Sequence, residues 1–156
     1  MLRKVITRKV KSAGGRFAIV ASEYNAKYVD SMLNGAQTFL TQAGAAEVRV
    51  LRVPGAFEVP AVAAKLARQQ RPGWDGIVCL GVILRGETTH AQHIGDTVSR
   101  LLGQIAVDTG VPVIHEVLLL ENTAQADKRC LDPEHNRGAE AAQTALAMAK
   151  VMREIK

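Results

Sequence analysis

Apolar and polar positions alternate along this chain with two different periods, one after the other. Phe17-Ala-Ile-Val-Ala21 is a short apolar run behind the Gly14-Gly15 break and reads as a strand. Tyr28, Met32, Ala36, Phe39, Leu40 and Ala43 then recur at helical spacing; Asn25 is placed to cap that helix and Gly44 to end it. Val48 to Val53 reads as the second strand and breaks at Pro54-Gly55, after which Val59 to Ala67 resumes a helical pattern. Arg71-Pro-Gly73 is a turn. Gly76 to Leu84, with the unbroken apolar run Ile77-Val-Cys-Leu80, predicts a buried third strand. Val98, Leu101, Leu102, Ile105 and Ala106 set a helix from about Gln92 to Val107. Pro112 to Leu120 is the fourth strand, and a short helix follows near Thr123 to Arg129. A long helix spans about Arg137 to Glu154, with Ala142, Ala145, Leu146, Ala149 and Met152 on one face; its small residues permit close helix contact, within the domain or between subunits.

Strands alternating with helices imply a parallel sheet covered on both faces, a doubly wound α/β domain. With 156 residues, one domain covering 1–156 is expected, large enough to bury a substantial core. No internal repeat or linker interrupts it. Val5, Ile6 and Val10 stand outside the alternating pattern, among Arg3, Lys4, Arg8, Lys9 and Lys11. They fit an edge strand guarded by cations and expected to pair with a neighbouring subunit.

Composition narrows the function classes. Hydrophobic content of 47% and charged content of 22% are those of an ordinary globular chain, and no apolar run is long enough to span a bilayer. The first ten residues have no apolar h-region, and Cys79 and Cys130 make no disulfide framework, so a cytoplasmic setting is expected. The net charge of +5 invites a nucleic-acid reading, but aromatics are only 4% of residues and form no stacking platform, so no nucleic-acid partner is expected. GxSxG, Walker and GxGxxG motifs are absent, which argues against nucleotide hydrolysis and dinucleotide chemistry.

The chemistry concentrates at the carboxyl ends of the strands, where open α/β sheets bind ligands. Arg85-Gly-Glu-Thr-Thr-His90 joins the third strand to its helix. Backbone N–H groups at such a turn favour anions, Thr88 and Thr89 add hydroxyls, Arg85 adds charge, and His90 can exchange a proton near neutral pH. The alternative is an ordinary helix cap with a surface His. Ser22-Glu-Tyr-Asn25, Pro54-Gly-Ala-Phe-Glu58 and Glu121-Asn-Thr123 should converge on the same end, bringing Tyr24 and Phe57 to hold a flat ring and Glu58 as a carboxylate. Singly, Phe57 can be core and Tyr24 a cover for the helix start. His90 and His93 share a helix face, but only Cys130, Glu134 or His135 offer to complete a metal set, and no paired-ligand motif appears; no metal is expected.

Phe17-Ala-Ile-Val-Ala-Ser-Glu-Tyr-Asn25, Val53-Pro-Gly-Ala-Phe-Glu-Val-Pro60, Gly81-Val-Ile-Leu-Arg-Gly-Glu-Thr-Thr-His90 and Asn136-Arg-Gly-Ala-Glu140 occur in the order and spacing of lumazine synthases. The chain resembles that family from about Arg16 to its end. The resemblance implies a flavodoxin-like four-stranded parallel sheet with helices on both faces. It implies condensation of 5-amino-6-(D-ribitylamino)uracil with 3,4-dihydroxy-2-butanone 4-phosphate, releasing phosphate and water, in riboflavin biosynthesis. The substrate supplies the amine, so no cofactor is implied; the protein contributes positioning and proton transfer.

Carried over residue by residue, Tyr24 stands where the family stacks an aromatic on the pyrimidine. Ala56, Phe57 and Glu58 match the loop that grips the uracil and ribityl chain, and Val82, Ile83 and Leu84 match the strand end lining the ring. Glu87 and Thr88 match the phosphate turn, His90 the proton donor, and Arg129 the arginine on the phosphate. Arg137 stands where the family often has Lys. His115-Glu116 replaces the usual Phe-Gly, so His115 would be the ring contact from a neighbouring subunit. Glu87 also brings a carboxylate beside the phosphate, tolerable if it turns to Arg85 or solvent. The resemblance implies a homopentamer or a sixty-subunit shell of pentamers, and riboflavin synthase as a further candidate partner. The Cys130–His135 link is as short as in shell formers but lacks their glycines and contains Pro133. Two other readings stay open: a non-catalytic relative that binds a ribityl-pyrimidine or flavin or serves as an assembled shell, and, more remotely, a phosphosugar isomerase using Glu58 or Glu87 as base.

Overall fold

The computed structural model describes residues 2–6 and 14–155. Four strands, β1 (Arg16–Ser22), β2 (Glu47–Val53), β3 (Gly76–Leu84) and β4 (Val113–Leu120), form one sheet. Its order is β2-β1-β3-β4, and every pairing is parallel. The chain starts in the middle and winds outward in both directions, so β1 and β3 are central and both their faces must be apolar. Helices α1 (Ala26–Gln42), α2 (Val59–Ala67), α3 (His90–Thr109), α4 (Thr123–Ala126) and α5 (Arg137–Glu154) complete the fold.

Side-chain alternation divides the core into two layers. Phe17, Ile19, Ala21, Val78, Leu80 and Val82 face α1 and α5. Ala18, Val20, Ile77, Cys79 and Ile83 face α2 and α3. Each large aliphatic side chain buried this way contributes about 1.5–3 kcal/mol of transfer free energy. The same alternation governs β4. Ile114, Leu118 and Leu120 turn to the α5 side, and Val113, Val117 and Leu119 to the α3 side. It follows that Glu116 faces α5 and His115 faces α3.

The small face of α5 packs inside the domain: Ala141, Ala142, Ala145, Leu146 and Ala149 are all buried. Where α5 crosses α1 the backbones nearly touch, and a Cβ on Gly138 would overlap the Met32 carbonyl. Asn136 locks the crossing. Its side-chain oxygen accepts from the N–H groups of Gly138 and Ala139 (2.9 and 3.2 Å), and its amide donates to the Cys130 carbonyl (2.9 Å).

Two expectations change. Asn25 occupies the N-cap position of α1 but in a left-handed conformation (φ 59°), and its side chain makes no capping bond. It donates instead to the Val82 carbonyl at 2.7 Å, tying the β1–α1 loop to β3. The helix expected over Thr123–Arg129 is α4 followed by one wider π turn, Asp127–Leu131. The Asp132 N–H closes the wide turn on the Asp127 carbonyl (3.1 Å), and the Cys130 carbonyl accepts from Ser31 Oγ (2.7 Å) and the Asn136 amide (2.9 Å). Residues 2–6 have no strand partner in their own chain, where pairing with a neighbour would not show; the Val5 N–H donates to the Glu134 carbonyl (2.8 Å) and Lys4 pairs with the Glu134 carboxylate (3.0 Å). Arg8, Lys9, Val10 and Lys11 lie outside the described residues.

Candidate active site

A cavity of about 810 Å³ opens where the carboxyl ends of β1 and β3 meet the start of α3. Parallel strands order this place: every β-to-α loop emerges at the same edge of the sheet. Tyr24, Ala56, Phe57 and Glu58 line one side, Val82, Ile83 and Leu84 the floor, and Thr88 and His90 the other side. Nine of the residues singled out in the sequence are thereby gathered in one concavity.

Local structure explains the placement of each. Glu23 and Tyr24 continue β1 past its end by donating to Val53 and Pro54 carbonyls (2.7 and 3.0 Å), which carries Tyr24 to the cavity mouth. Tyr24 is 73% exposed and Phe57 56% exposed, far more than core aromatics require. Glu58 ends a single 3₁₀ turn, Ala56–Glu58. A Cβ on Gly55 would lie 2.9 Å from Glu58 Oε2, so glycine lets the carboxylate fold back toward the loop. Gly81 has the same logic on the floor, where a Cβ would press on Val117, Ser22 and Ala56.

The turn before α3 is open to an anion. The His90 N–H is 3.3 Å from Thr88 Oγ1, and among the described residues no hydrogen bond engages the N–H groups of Glu87 and Thr88. Arg85 does not serve this turn: its guanidinium pairs with Glu121 (2.9 Å) and Gln92 (2.9 Å). Glu87 is exposed and its side chain is not among the cavity lining.

Three residues of the set lie elsewhere. His115 and Arg137 line a second cavity of about 400 Å³ between β4 and α5, beside Glu116 and Glu140. Arg129 sits half-buried on the π turn and lines neither cavity. The sequence reading does not reach Ala91, Ile94 and Thr97 as lining residues, and it places His93 only in a metal set. His90, His93, Ile94 and Thr97 follow one another at helical spacing, so the face of α3 carried the signal.

Metal and thiol chemistry find little support. Asp132, Glu134 and His135 bring ligand atoms within 4.8 Å of one another, and neither His90 nor His93 belongs to this group. Its atoms are engaged: Asp132 Oδ2 holds Lys128 (2.6 Å) and His135 (3.0 Å), and Oδ1 accepts the Glu134 N–H (2.9 Å). The Lys128 contact foremost holds the Asp132 carboxyl well below its usual range. Burial pushes the Cys79 thiol far up and, with help from Glu116, Cys130 up to about 12, so neither is a ready thiolate.

The model of the 6,7-dimethyl-8-ribityllumazine synthase family matches residues 14–153. The chain belongs to this family. It is 42% identical over 147 residues to the 6,7-dimethyl-8-ribityllumazine synthase of Kineococcus radiotolerans, covering 93% of this chain and 89% of that protein. The synthase of the same name from Syntrophus aciditrophicus is 39% identical, over 91% of this chain and 92% of its own length. That from Desulfotalea psychrophila is 36% identical, over 94% and 95%. The lumazine synthase match therefore spans both cavities and every candidate site residue. No described helix is long and apolar enough to cross a membrane.

Proposed function

We propose that this chain is a working lumazine synthase. It condenses 5-amino-6-(D-ribitylamino)uracil with 3,4-dihydroxy-2-butanone 4-phosphate and releases phosphate and water, forming 6,7-dimethyl-8-ribityllumazine for riboflavin biosynthesis. The observation that carries the reading is the gathering of two exposed aromatic rings, a folded-back carboxylate, an open anion turn and His90 in one cavity. In this reading the pyrimidine lies against Tyr24 and Phe57, with its edges on the Ala56 and Val82–Leu84 backbone. Glu58 accepts from ribityl hydroxyls. The Glu87 and Thr88 N–H groups hold the phosphate, and His90 moves protons during imine formation and loss of phosphate. The incoming substrate supplies the amine, so the scheme requires neither an enzyme nucleophile nor a cofactor.

The remaining contacts, Arg129, Arg137 and His115, lie away from this cavity in the same chain. A second copy must bring them, which supports a homopentamer with its sites between neighbours. β2 and β4 both present an open edge among the described residues, and the N-terminal segment is a candidate to pair with such an edge in the neighbour. The whole chain then serves as one domain, and its free buried cysteines suit a reducing cytoplasm.

The test is to mix purified protein with both substrates and follow product absorbance and free phosphate together. One phosphate released per lumazine formed supports the proposal. Tight binding of the pyrimidine with no phosphate release favours the non-catalytic relative, the reading to which His115 and Glu116 lend weight.

A further inference from the structure

We infer that Glu116 is a proton-switched specificity residue, which decides by gaining or losing a proton whether Arg137 accepts an anion in the second cavity. The inference rests on the reading of Arg137 as a phosphate contact.

The cavity between β4 and α5 brings together Glu116, Arg137, Glu140 and Thr144. Among the described residues lining it, Arg137 is the one permanent cation. It is already committed in part, because its Nη1 binds Glu140 Oε2 one turn along α5. A guanidinium has five donors, so Arg137 keeps others for a ligand. The charge of the cavity then depends on Glu116. With both carboxylates ionised the three groups sum to −1, and an entering dianion meets repulsion. With Glu116 protonated they sum to zero, and its O–H becomes a donor for the same anion. Anion and proton should therefore arrive together.

Glu116 is placed to do this. It stands between Ile114 and Leu118 on the apolar face of β4 and is half-buried. Burial pushes its carboxyl up to about 7, against the pull of Arg137 and with a further push from Glu140. Other charged or titratable groups on this side come from the π turn: the neutral thiol of Cys130, with Arg129 and Asp127 beside it. β3 turns Val78, Leu80 and Val82 to this side, and α4 has no ionisable residue. His115 also borders the cavity, from the other face of the strand, but burial holds its pKa below 6.5, so it stays neutral above pH 7 where the slope is read.

Sulfate is the clean probe, because it stays a dianion between about pH 6 and 8.5 while Glu116 titrates. Sulfate is titrated calorimetrically into the assembled protein in buffers of different ionisation heat, which also reads proton uptake. For the wild type, the sulfate Kd should rise by up to about tenfold per pH unit above 7, with close to one proton taken up. Glu116→Gln should bind sulfate with little dependence on pH. Glu140→Gln should bind it more tightly and keep the slope. Arg137→Ala should lose the pH-dependent binding. Parallel profiles for wild type and Glu116→Gln would overturn the inference, as would a slope that disappears in Glu140→Gln or a wild type that takes no sulfate. Turnover of the two substrates is measured on the same preparations. A protein that shows the Glu116-dependent slope but makes no lumazine defeats the synthase reading alone. A working synthase without that slope defeats the switch alone.

Discussion

Ser99 Oγ and His115 Nε2 lie 2.7 Å apart and join α3 to the edge strand β4. The other ring nitrogen, Nδ1, accepts the N–H of Val117 at 3.1 Å. An acceptor at Nδ1 requires the proton on Nε2, so this network assigns a neutral imidazole that donates to Ser99. Both ring edges are thus held by their own subunit. The ring remains exposed in the single chain, and its face is what a neighbour's ligand can meet.

Burial lowers the His115 pKa below its ordinary value of 6.5. The folded state then resists a proton that the unfolded chain accepts, so this residue's contribution to stability falls as pH drops below about 6.5. Pyrimidine affinity should follow the same direction, since charging the ring breaks the Val117 bond. His115→Phe should keep affinity and flatten its dependence on pH. Titrating a pyrimidine analogue into both proteins between about pH 5 and 8 checks this; two identical profiles would remove His115 from the pocket.

The α1–α5 crossing gives a prediction about stability and not chemistry. A Cβ on Gly138 would overlap the Met32 carbonyl, which is backbone and cannot swing aside. Gly138→Ala should cost about 1–3 kcal/mol, or more if the Asn136 network is also lost. Urea unfolding of both proteins reads the cost directly. An unchanged midpoint would mean that the two helices separate easily.

The strands were legible because central parallel strands must be apolar throughout: Ile77 to Leu80 can hardly be read otherwise. The nine cavity residues were legible because strand ends in this fold converge by topology. The rest depended on three-dimensional competition that no spacing encodes. Spacing makes Asn25 a cap, but the Val82 carbonyl takes its amide. The end of the π turn is tied by a bond from Ser31, 99 residues before Cys130, to the Cys130 carbonyl, a contact that no local spacing encodes. Its place in the turn makes Arg85 an anion contact, yet Glu121 and Gln92 take its guanidinium first. His93 and Thr97 lie on the face of α3 that His90 begins, so the helical period itself carries them to the cavity.

His90 lines the cavity together with His93, away from any cluster of metal-ligating geometry among the described residues. It is proposed to transfer protons without a metal. His90→Ala should slow turnover about 10- to 100-fold and leave pyrimidine binding largely intact. Chelator should leave the wild-type rate unchanged. Activity that is lost on chelation and restored by zinc would replace proton transfer with metal chemistry.

Arg129 is the residue whose assignment most depends on a second copy of the chain. It is half-buried on the π turn, and its one hydrogen bond among the described residues, to the Gln125 carbonyl, is long at 3.5 Å. Most of its donors are therefore free for a planar, charge-assisted grip on phosphate. Arg129→Ala should raise KM for the butanone phosphate far more than KM for the pyrimidine, a loss of roughly 2–3 kcal/mol. Glu87→Ala should be mild, because only its N–H is assigned a role. Since Arg129 does not line the cavity that holds His90, the two should act in the same site only across a subunit boundary. Coexpressing His90→Ala with Arg129→Ala subunits should then restore part of the activity that each variant lacks alone, because some mixed sites receive an intact His90 from one copy and an intact Arg129 from the next. Purified mixed assemblies no more active than the average of their parents would place both residues in one subunit's site, and Arg129 would need a different role.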